Sequence, residues 1–320
     1  MTPSSPCQKA PMSVVYLGTA EIAVPAMEAI ARHPEFELRG VFSQPDRPSG
    51  RKRRLTASPV KTAALAASVP VATPEKIGEA GDQLAEWNPS IMVVFAYGQY
   101  IPRRVFEFPP LGTINLHPSL LPKYRGASPI QSAIADGETE SGLSVIRVTE
   151  RMDAGEILMQ RRVEIGPMDT ARGMSARFAE LSADLIIEAL SAIRDGTATW
   201  RPQDEDQVVE CGKLSKENGW IDWTLSARTW QNRIRAYQPW PGVSFPLPEG
   251  ERVKIHGARV EPGEGAPGEV IDLGADGPLI ACGERALRLI QVQPPGKSVM
   301  SGRDFLNGHP LQCGDRLRND

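Results

Sequence analysis

The chain has 320 residues, 41% of them hydrophobic and 23% charged, with a formal net charge of −3 at pH 7. Usage of this kind is ordinary for a globular protein and supplies a core that needs no disulfide or metal staple. The longest apolar run, Ile91 to Tyr97, falls far short of the roughly 20 residues of a membrane helix, and the acidic balance excludes an all-over basic coat while leaving room for local basic patches.

The polar, Pro-bearing residues 1–11 lack the apolar stretch of a secretory signal. They are expected to be a disordered extension. Residues 14–17 (VVYL) predict a strand ending at Gly18-Thr19, and the spacing of Val24, Met27, Ile30 and Ala31 predicts a helix. FELRGVFS (36–43) predicts a second strand. Ser58-Pro59 is a cap and first-turn pair for a helix over 58–68. Pro74-Glu75 opens another expected helix, running to about Trp87. IMVVFA (91–96) is a continuous apolar strand of the kind buried on both faces of a parallel sheet, and GTINLH (112–117) is a further strand. Strands alternating with helices predict an open, mostly parallel, Rossmann-like α/β domain over residues 12–195.

Two strands are expected at 143–149 and 156–165, joined by the short turn ERMDAG. The apolar stripe Phe178, Leu181, Leu185, Ile186, Ala189 and Ile193 then predicts a long helix stopped by Gly196. The acidic stretch 196–212 reads as a linker. Beyond it, from 213 to 320, short strands between Gly and Pro turns (VKIHGARV, GEVIDLG, GPLIACG, ALRLIQVQ) predict a small OB-like β-barrel.

Cys7, Cys211, Cys282 and Cys313 form no CxxC pair, which points to a reducing cytoplasm, and no His or Cys spacing suggests a metal site. A single Gly at Gly18-Thr19-Ala20 does not make a dinucleotide fingerprint. The informative segment is INLHPSLLPKYRGASPI (114–130). Asn115 and His117 share one strand face, at the carboxyl edge where open α/β sheets bind ligands. An Asn amide can hold a carbonyl oxygen that becomes negative, and a His can take or relay a proton. In isolation such residues serve structure more often than chemistry. Asp153, in the turn of ERMDAGEIL, is either a turn residue bonding its own backbone or a carboxylate that orients His117.

INLHPSLLPKYRGASPIQSAI with RMDAGEIL resembles the folate-dependent formyltransferases. VYLGT, VFSQPDRPSGRKRRL, VVFAYGQYIP, KLSKENGWIDWTLSA, IRAYQPWPG and VQPPGKSVMSGRDFLNG extend the likeness over about residues 13–310, to the methionyl-tRNA formyltransferase family within that superfamily. The resemblance implies transfer of the formyl group of 10-formyltetrahydrofolate to the amino group of methionine on initiator methionyl-tRNA. It implies catalytic roles for Asn115, His117 and Asp153. It places folate against Ser119, Leu120, Leu121 and Pro122 and against Phe95, Ala96, Tyr97 and Gly98. Nothing in the sequence demands more than a monomer. Gly18-Thr19-Ala20-Glu21-Ile22 and Pro118 depart from the family's usual residues without touching the three polar groups.

Arg47, Arg51, Lys52, Arg53 and Arg54 form a cationic loop that reads as a solvated face or, by the resemblance, as a contact to the tRNA acceptor end. Lys213 and Lys216 add basicity at the start of the second domain. A formyltransferase for a sugar nucleotide or another small amine, and a non-enzymatic RNA-binding protein, are the alternative readings. Trp220, Trp223, Trp230 and Trp240 read as packing residues.

Overall fold

The structure, a computed structural model, describes residues 10–49, 54–247 and 250–319. The expected extension at 1–11 falls almost wholly outside that range, as do Arg51, Lys52 and Arg53. β1 (Met12–Gly18) is buried along its whole length, so both of its faces are covered. α1 (Val24–Arg32) buries Ala26, Met27 and Ile30 on one side, and β2 (Phe36–Phe42) pairs with β1 in parallel. The cationic segment expected as a loop is flanked by a short antiparallel ribbon of β3 (Arg47–Ser49) and β4 (Arg54–Thr56).

α2 (Pro59–Ala66) begins as its cap foretells: Ser58 Oγ accepts the Lys61 backbone N–H at 3.0 Å. β5 (Val71–Ala72) closes that edge of the sheet beside β2. The helix expected from Pro74 is shorter. A 3-10 turn at Ile77–Glu79 precedes α3 (Gly81–Trp87). The reason is that two side chains further along the chain, one from a loop and one from a helix, satisfy this backbone. Gln99 Oε1 accepts the Ile77 N–H at 2.8 Å, and the Arg104 guanidinium donates to the Gly78 carbonyl at 2.9 Å.

β6 (Ile91–Phe95) is wholly buried and lies parallel between β1 and β7 (Thr113–His117), with the short α4 (Arg103–Phe106) between β6 and β7 in sequence. β8 (Lys123–Gly126) and α5 (Pro129–Ala135) follow. β9 (Glu140–Arg147) runs antiparallel to β7, and β10 (Ile157–Glu164) lies beside β9. α6 (Ala171–Asp195) ends where Gly196 takes a left-handed φ of 72°. The seven-stranded order is β10-β9-β7-β6-β1-β2-β5. Strand order reverses between β1 and β6, the place where such sheets leave a crevice at their carboxyl ends. One core cluster joins Val15, Leu17, Phe42, Leu84, Trp87, Met92, Val94 and Tyr97.

By packing, the chain divides into two compact units. One takes the chain up to Arg125, with Gly142–Arg162 and Ser175–Val209; the other takes Gly126–Ser141, Val163–Met174 and everything from Glu210 onward. The division interleaves where the sequence suggested a single cut, because α5 packs on α7 (Ala227–Ala236) within the second unit. The stretch expected to be a linker carries a 3-10 turn, Glu205–Gln207, and β11 (Val209–Cys211).

The second unit's sheet is antiparallel, built of β12 (Val243–Pro246), β13 (Arg252–Glu261), β14 (Val270–Gly274), β15 (Gly277–Ala281) and β16 (Ala286–Gln293) in the order β12-β13-β16-β15-β14. β17 (Met300–Ser301) pairs with β16, and α8 (Gly302–Gly308) follows. This is the small antiparallel β-domain that the Gly/Pro-punctuated strands foretell. They give no sign of α7, which Ser226 caps. Trp223 and Trp230 are fully buried in this unit, whereas Trp220 and Trp240 are exposed rather than packed away.

Candidate active site

Strand alternation delivers Asn115 and His117 to one face of β7, with Asn115 half-buried and His117 only 4% exposed. His117 Nε2 lies 2.8 Å from the Tyr124 carbonyl oxygen. A carbonyl can only accept, so Nε2 carries a proton and donates. Nδ1 then faces the Asp153 Oδ2 at 3.5 Å. In the neutral ring Nδ1 is a proton acceptor; in the charged ring it is a second donor, aimed at a carboxylate. The Asn115 amide donates to Asp153 Oδ1 at 3.4 Å. One polar constellation therefore joins the three residues that the sequence singles out.

Two strained backbones build it. Asp153 has φ 51° and Tyr124 φ 62°. The left-handed region is tolerable for Asp but uncommon for a bulky aromatic residue. Such conformations cost on the order of 1–3 kcal/mol each and persist where the surroundings dictate them. Here they aim the Asp153 carboxylate and the Tyr124 carbonyl at the two nitrogens of one ring. The carbonyl role of Tyr124 has no side-chain signature, so sequence reasoning had no means of finding it.

The residues expected near folate fall into two classes. Phe95 and Tyr97 point into the core, while Ala96 and Gly98 between and after them are exposed, with φ of 47° and 82°. Only backbone and small residues are presented there. The turn is clamped: the Tyr97 carbonyl accepts from Thr19 Oγ1 at 2.8 Å and from Gln44 Nε2 at 2.9 Å. A Cβ on Gly98 would meet only the far end of the Gln44 side chain, which can move aside, so it is the positive φ that favours glycine there. In the other segment, Ser119 is fully buried and its Oγ donates to the Lys123 carbonyl at 2.6 Å. Leu121 packs on Ile146 and Ile157. Leu120 and Pro122 stay partly exposed.

Arg47 and Arg54 are exposed on the ribbon. The pairs Arg47↔Thr56 and Ser49↔Arg54 put both arginines on one ribbon face, with Pro48 and Leu55 on the other. Lys61 donates to Asp46 at 2.8 Å and ties the ribbon's base to α2. Lys213 and Lys216 are exposed in the second unit. A cavity of about 880 Å³ lined by Arg103, Phe106, Arg147, Glu150, Ala154 and Trp200, among others, lies in the first unit but is lined by none of Asn115, His117 or Asp153. Among the described residues no group of three or more His, Cys, Asp or Glu side chains could hold a metal ion, and no helix is long and apolar enough to cross a membrane.

The family model for "formyl transferase" matches residues 12–190, and that for "formyl transferase, C-terminal domain" matches residues 213–310. The chain belongs to the formyl transferase family. It is 42% identical over 310 residues to the methionyl-tRNA formyltransferase of Solibacter usitatus, covering 96% of this chain and 98% of that protein. It is 40% identical over 310 residues to the methionyl-tRNA formyltransferase of Aromatoleum aromaticum, with the same coverage. Among solved structures, an N-formyltransferase from Helicobacter canadensis in complex with folinic acid and dTDP-3-aminofucose superposes with a TM-score of 0.66 at 19% identity, over 87% of this chain and 99% of that one. HypX from Aquifex aeolicus with tetrahydrofolic acid gives 0.61 at 17% identity, over 97% of this chain and 51% of that one. At such identities these likenesses speak for the fold.

Proposed function

We propose that this chain transfers the formyl group of 10-formyltetrahydrofolate to the amino group of methionine on initiator methionyl-tRNA, giving the N-formylated aminoacyl-tRNA for translation initiation. The observation that carries the reading is His117 held at Nε2 by the Tyr124 carbonyl and flanked at Nδ1 by Asp153, beside Asn115, in a chain that matches methionyl-tRNA formyltransferases over 96% of its length. The chain's residues fit the donor. The exposed, backbone-only turn at Ala96–Gly98 suits the edge of a flat heterocycle, and the amide of Asn115 suits a carbonyl oxygen. When bound, 10-formyltetrahydrofolate supplies an activated formyl carbon.

Asn115 Nδ2 has two N–H groups. One points at Asp153, and the other can donate to the formyl oxygen as it gains charge. His117 Nδ1 takes up the proton that the attacking amine must lose and returns it toward the departing nitrogen, so the proton count closes. The Tyr124 carbonyl holds the ring in register through Nε2 for both steps, and the Asp153 carboxylate pairs with Nδ1 while the ring is charged. Burial of His117 keeps water from competing for that proton.

Arg47 and Arg54, with Arg51, Lys52 and Arg53 between them, are assigned to the acceptor end of the tRNA, and Lys213 and Lys216 to its backbone. Leu120, Pro122, Ala96 and Gly98 are assigned to folate, with Phe95, Tyr97, Ser119 and Leu121 holding those segments in place. Catalysis thus lies in residues 12–195 and tRNA contact in that region's ribbon and in residues 213–320, in a monomeric, cytoplasmic enzyme. The deciding assay mixes purified protein and 10-formyltetrahydrofolate with charged initiator tRNA, uncharged tRNA, free methionine and an amino sugar nucleotide. Formylation of the charged tRNA alone is expected. Formylation of the sugar nucleotide without the tRNA would overturn the reading.

A further inference from the structure

The polar stretch after α6 has the composition of a connector, yet two of its residues close on the segments that carry His117's partners, β8 and the Asp153 turn. Gln203 Nε2 donates to the carbonyl oxygens of Asp153, at 2.7 Å, and Gly155, at 2.8 Å. Its Oε1 accepts from Arg125 Nε at 3.0 Å and Nη2 at 2.8 Å. Arg125 directly follows Tyr124 and is only 5% exposed. Its outer edge pairs with Glu205 at 2.9 Å, and Glu205 also holds Arg151 at 3.0 Å. A closed circuit results. It runs from His117 Nε2 to the Tyr124 carbonyl, along the chain to Arg125, through Gln203 to the Asp153 backbone, and from the Asp153 carboxylate back to His117 Nδ1.

We propose that Arg125 and Gln203 are positioning residues for formyl transfer, which hold the Tyr124 carbonyl and the Asp153 carboxylate at one fixed separation across the His117 ring. This rests on the formyl-transfer reading above. Asp153 sits in a left-handed turn, and its carboxylate meets the ring at 3.5 Å, the outer limit of useful contact. Small drift of the turn would break that contact. Gly155 allows no slack on the far side, since a Cβ there would run into the Arg147 carbonyl. Gln203 grips two carbonyls of this turn at once, and Arg125 is what fixes Gln203. The two act through Asp153 and His117 and need touch neither substrate.

The test is a double-mutant cycle on the full chain with 10-formyltetrahydrofolate and charged initiator tRNA. Gln203→Ala is expected to lower kcat by about 10- to 100-fold, the scale of a small misplacement of a reacting group, with KM for both substrates within about twofold of wild type. In an Asp153→Asn background the same change is expected to cost less than about twofold, because the group it positions is already gone. Gln203→Glu keeps the length and the acceptor for Arg125 but has no donor for the two carbonyls, and is expected to behave like Gln203→Ala. Equal losses in both backgrounds, unchanged kcat, or unfolding of both variants would overturn the proposal and leave the clamp a structural device. Wild-type protein that formylates nothing would refute the functional reading instead, so the two failures are distinguishable.

Discussion

Replacing Asn115 by Ala removes the donor assigned to the developing oxyanion. Loss of one such donor costs about 2.7–4 kcal/mol of transition-state stabilisation, or about 10²–10³ in kcat. The structure bounds the accompanying effect on stability. Asn115 is half-buried, and its side-chain bond to Asp153, at 3.4 Å, is long. A bond to a carboxylate that is this long is worth about 1.5 kcal/mol, the weak end for charged partners, so Tm should fall by about 3–6 °C. The backbone pairing of Asn115 with Val94 and Ile146 survives the change. Single-turnover formyl transfer to charged tRNA, with folate binding and thermal unfolding measured on the same preparation, separates the two effects. Catalysis within about fivefold of wild type in a folded protein, against the far larger fall expected, would remove Asn115 from the mechanism. A loss of activity matched by weaker folate binding would make it a binding residue.

Changing Arg51, Lys52, Arg53 and Arg54 together to Ser should weaken tRNA binding and flatten its salt dependence, by about 0.7–0.9 in log–log slope for each phosphate no longer neutralised; an unchanged slope in a filter-binding salt series would show a solvated face. Trp230→Phe should destabilise the protein more than Trp223→Phe in urea unfolding. The reason is that Trp230 Nε1 donates to the Asp222 carbonyl at 2.6 Å, whereas the buried Trp223 Nε1 has no partner among the described residues; the reverse order would refute this. Hydrogen bonds from Arg125 first, and from Arg151 next, hold the Glu205 carboxyl down at about 2, against an ordinary value of 4.5. Because the folded value is the lower one, that pairing contributes fully above about pH 4.5 and is lost as pH falls toward 2. Glu205→Gln should therefore flatten the pH dependence of unfolding in that window, and an unaltered slope would show the pairing to be idle. Burial pushes the Cys282 thiol up to about 12, so peptide-level alkylation at about pH 8 should label the exposed Cys313 and spare Cys282 until the chain unfolds. Equal labelling of the two in the folded protein would refute this.

What the sequence determined by itself is whatever short-range geometry controls. The two-residue period of a strand puts Asn115 and His117 on one face wherever β7 lies, and Ser58-Pro59 caps α2 through atoms three residues apart. A continuous apolar run announced β6 as a strand covered on both sides, a short β-branched and aromatic run announced β1 as a strand, and Gly196 marked the end of α6. The resemblance named Asp153 as His117's partner, though nothing local distinguished it from a turn residue. The tertiary structure decided the rest, because the deciding bonds join segments far apart in sequence. Gln99 and Arg104 take the backbone groups that would have continued a helix over 74–80. Trp220 and Trp240 have the same local signature as Trp223 and Trp230, yet end exposed because burial is a property of the assembled unit. The Tyr124 carbonyl acts through backbone that every residue possesses. Gln203, in a stretch polar enough to pass for a connector, becomes a brace only when folding brings it to Arg125, 78 positions earlier, and to the Asp153 turn.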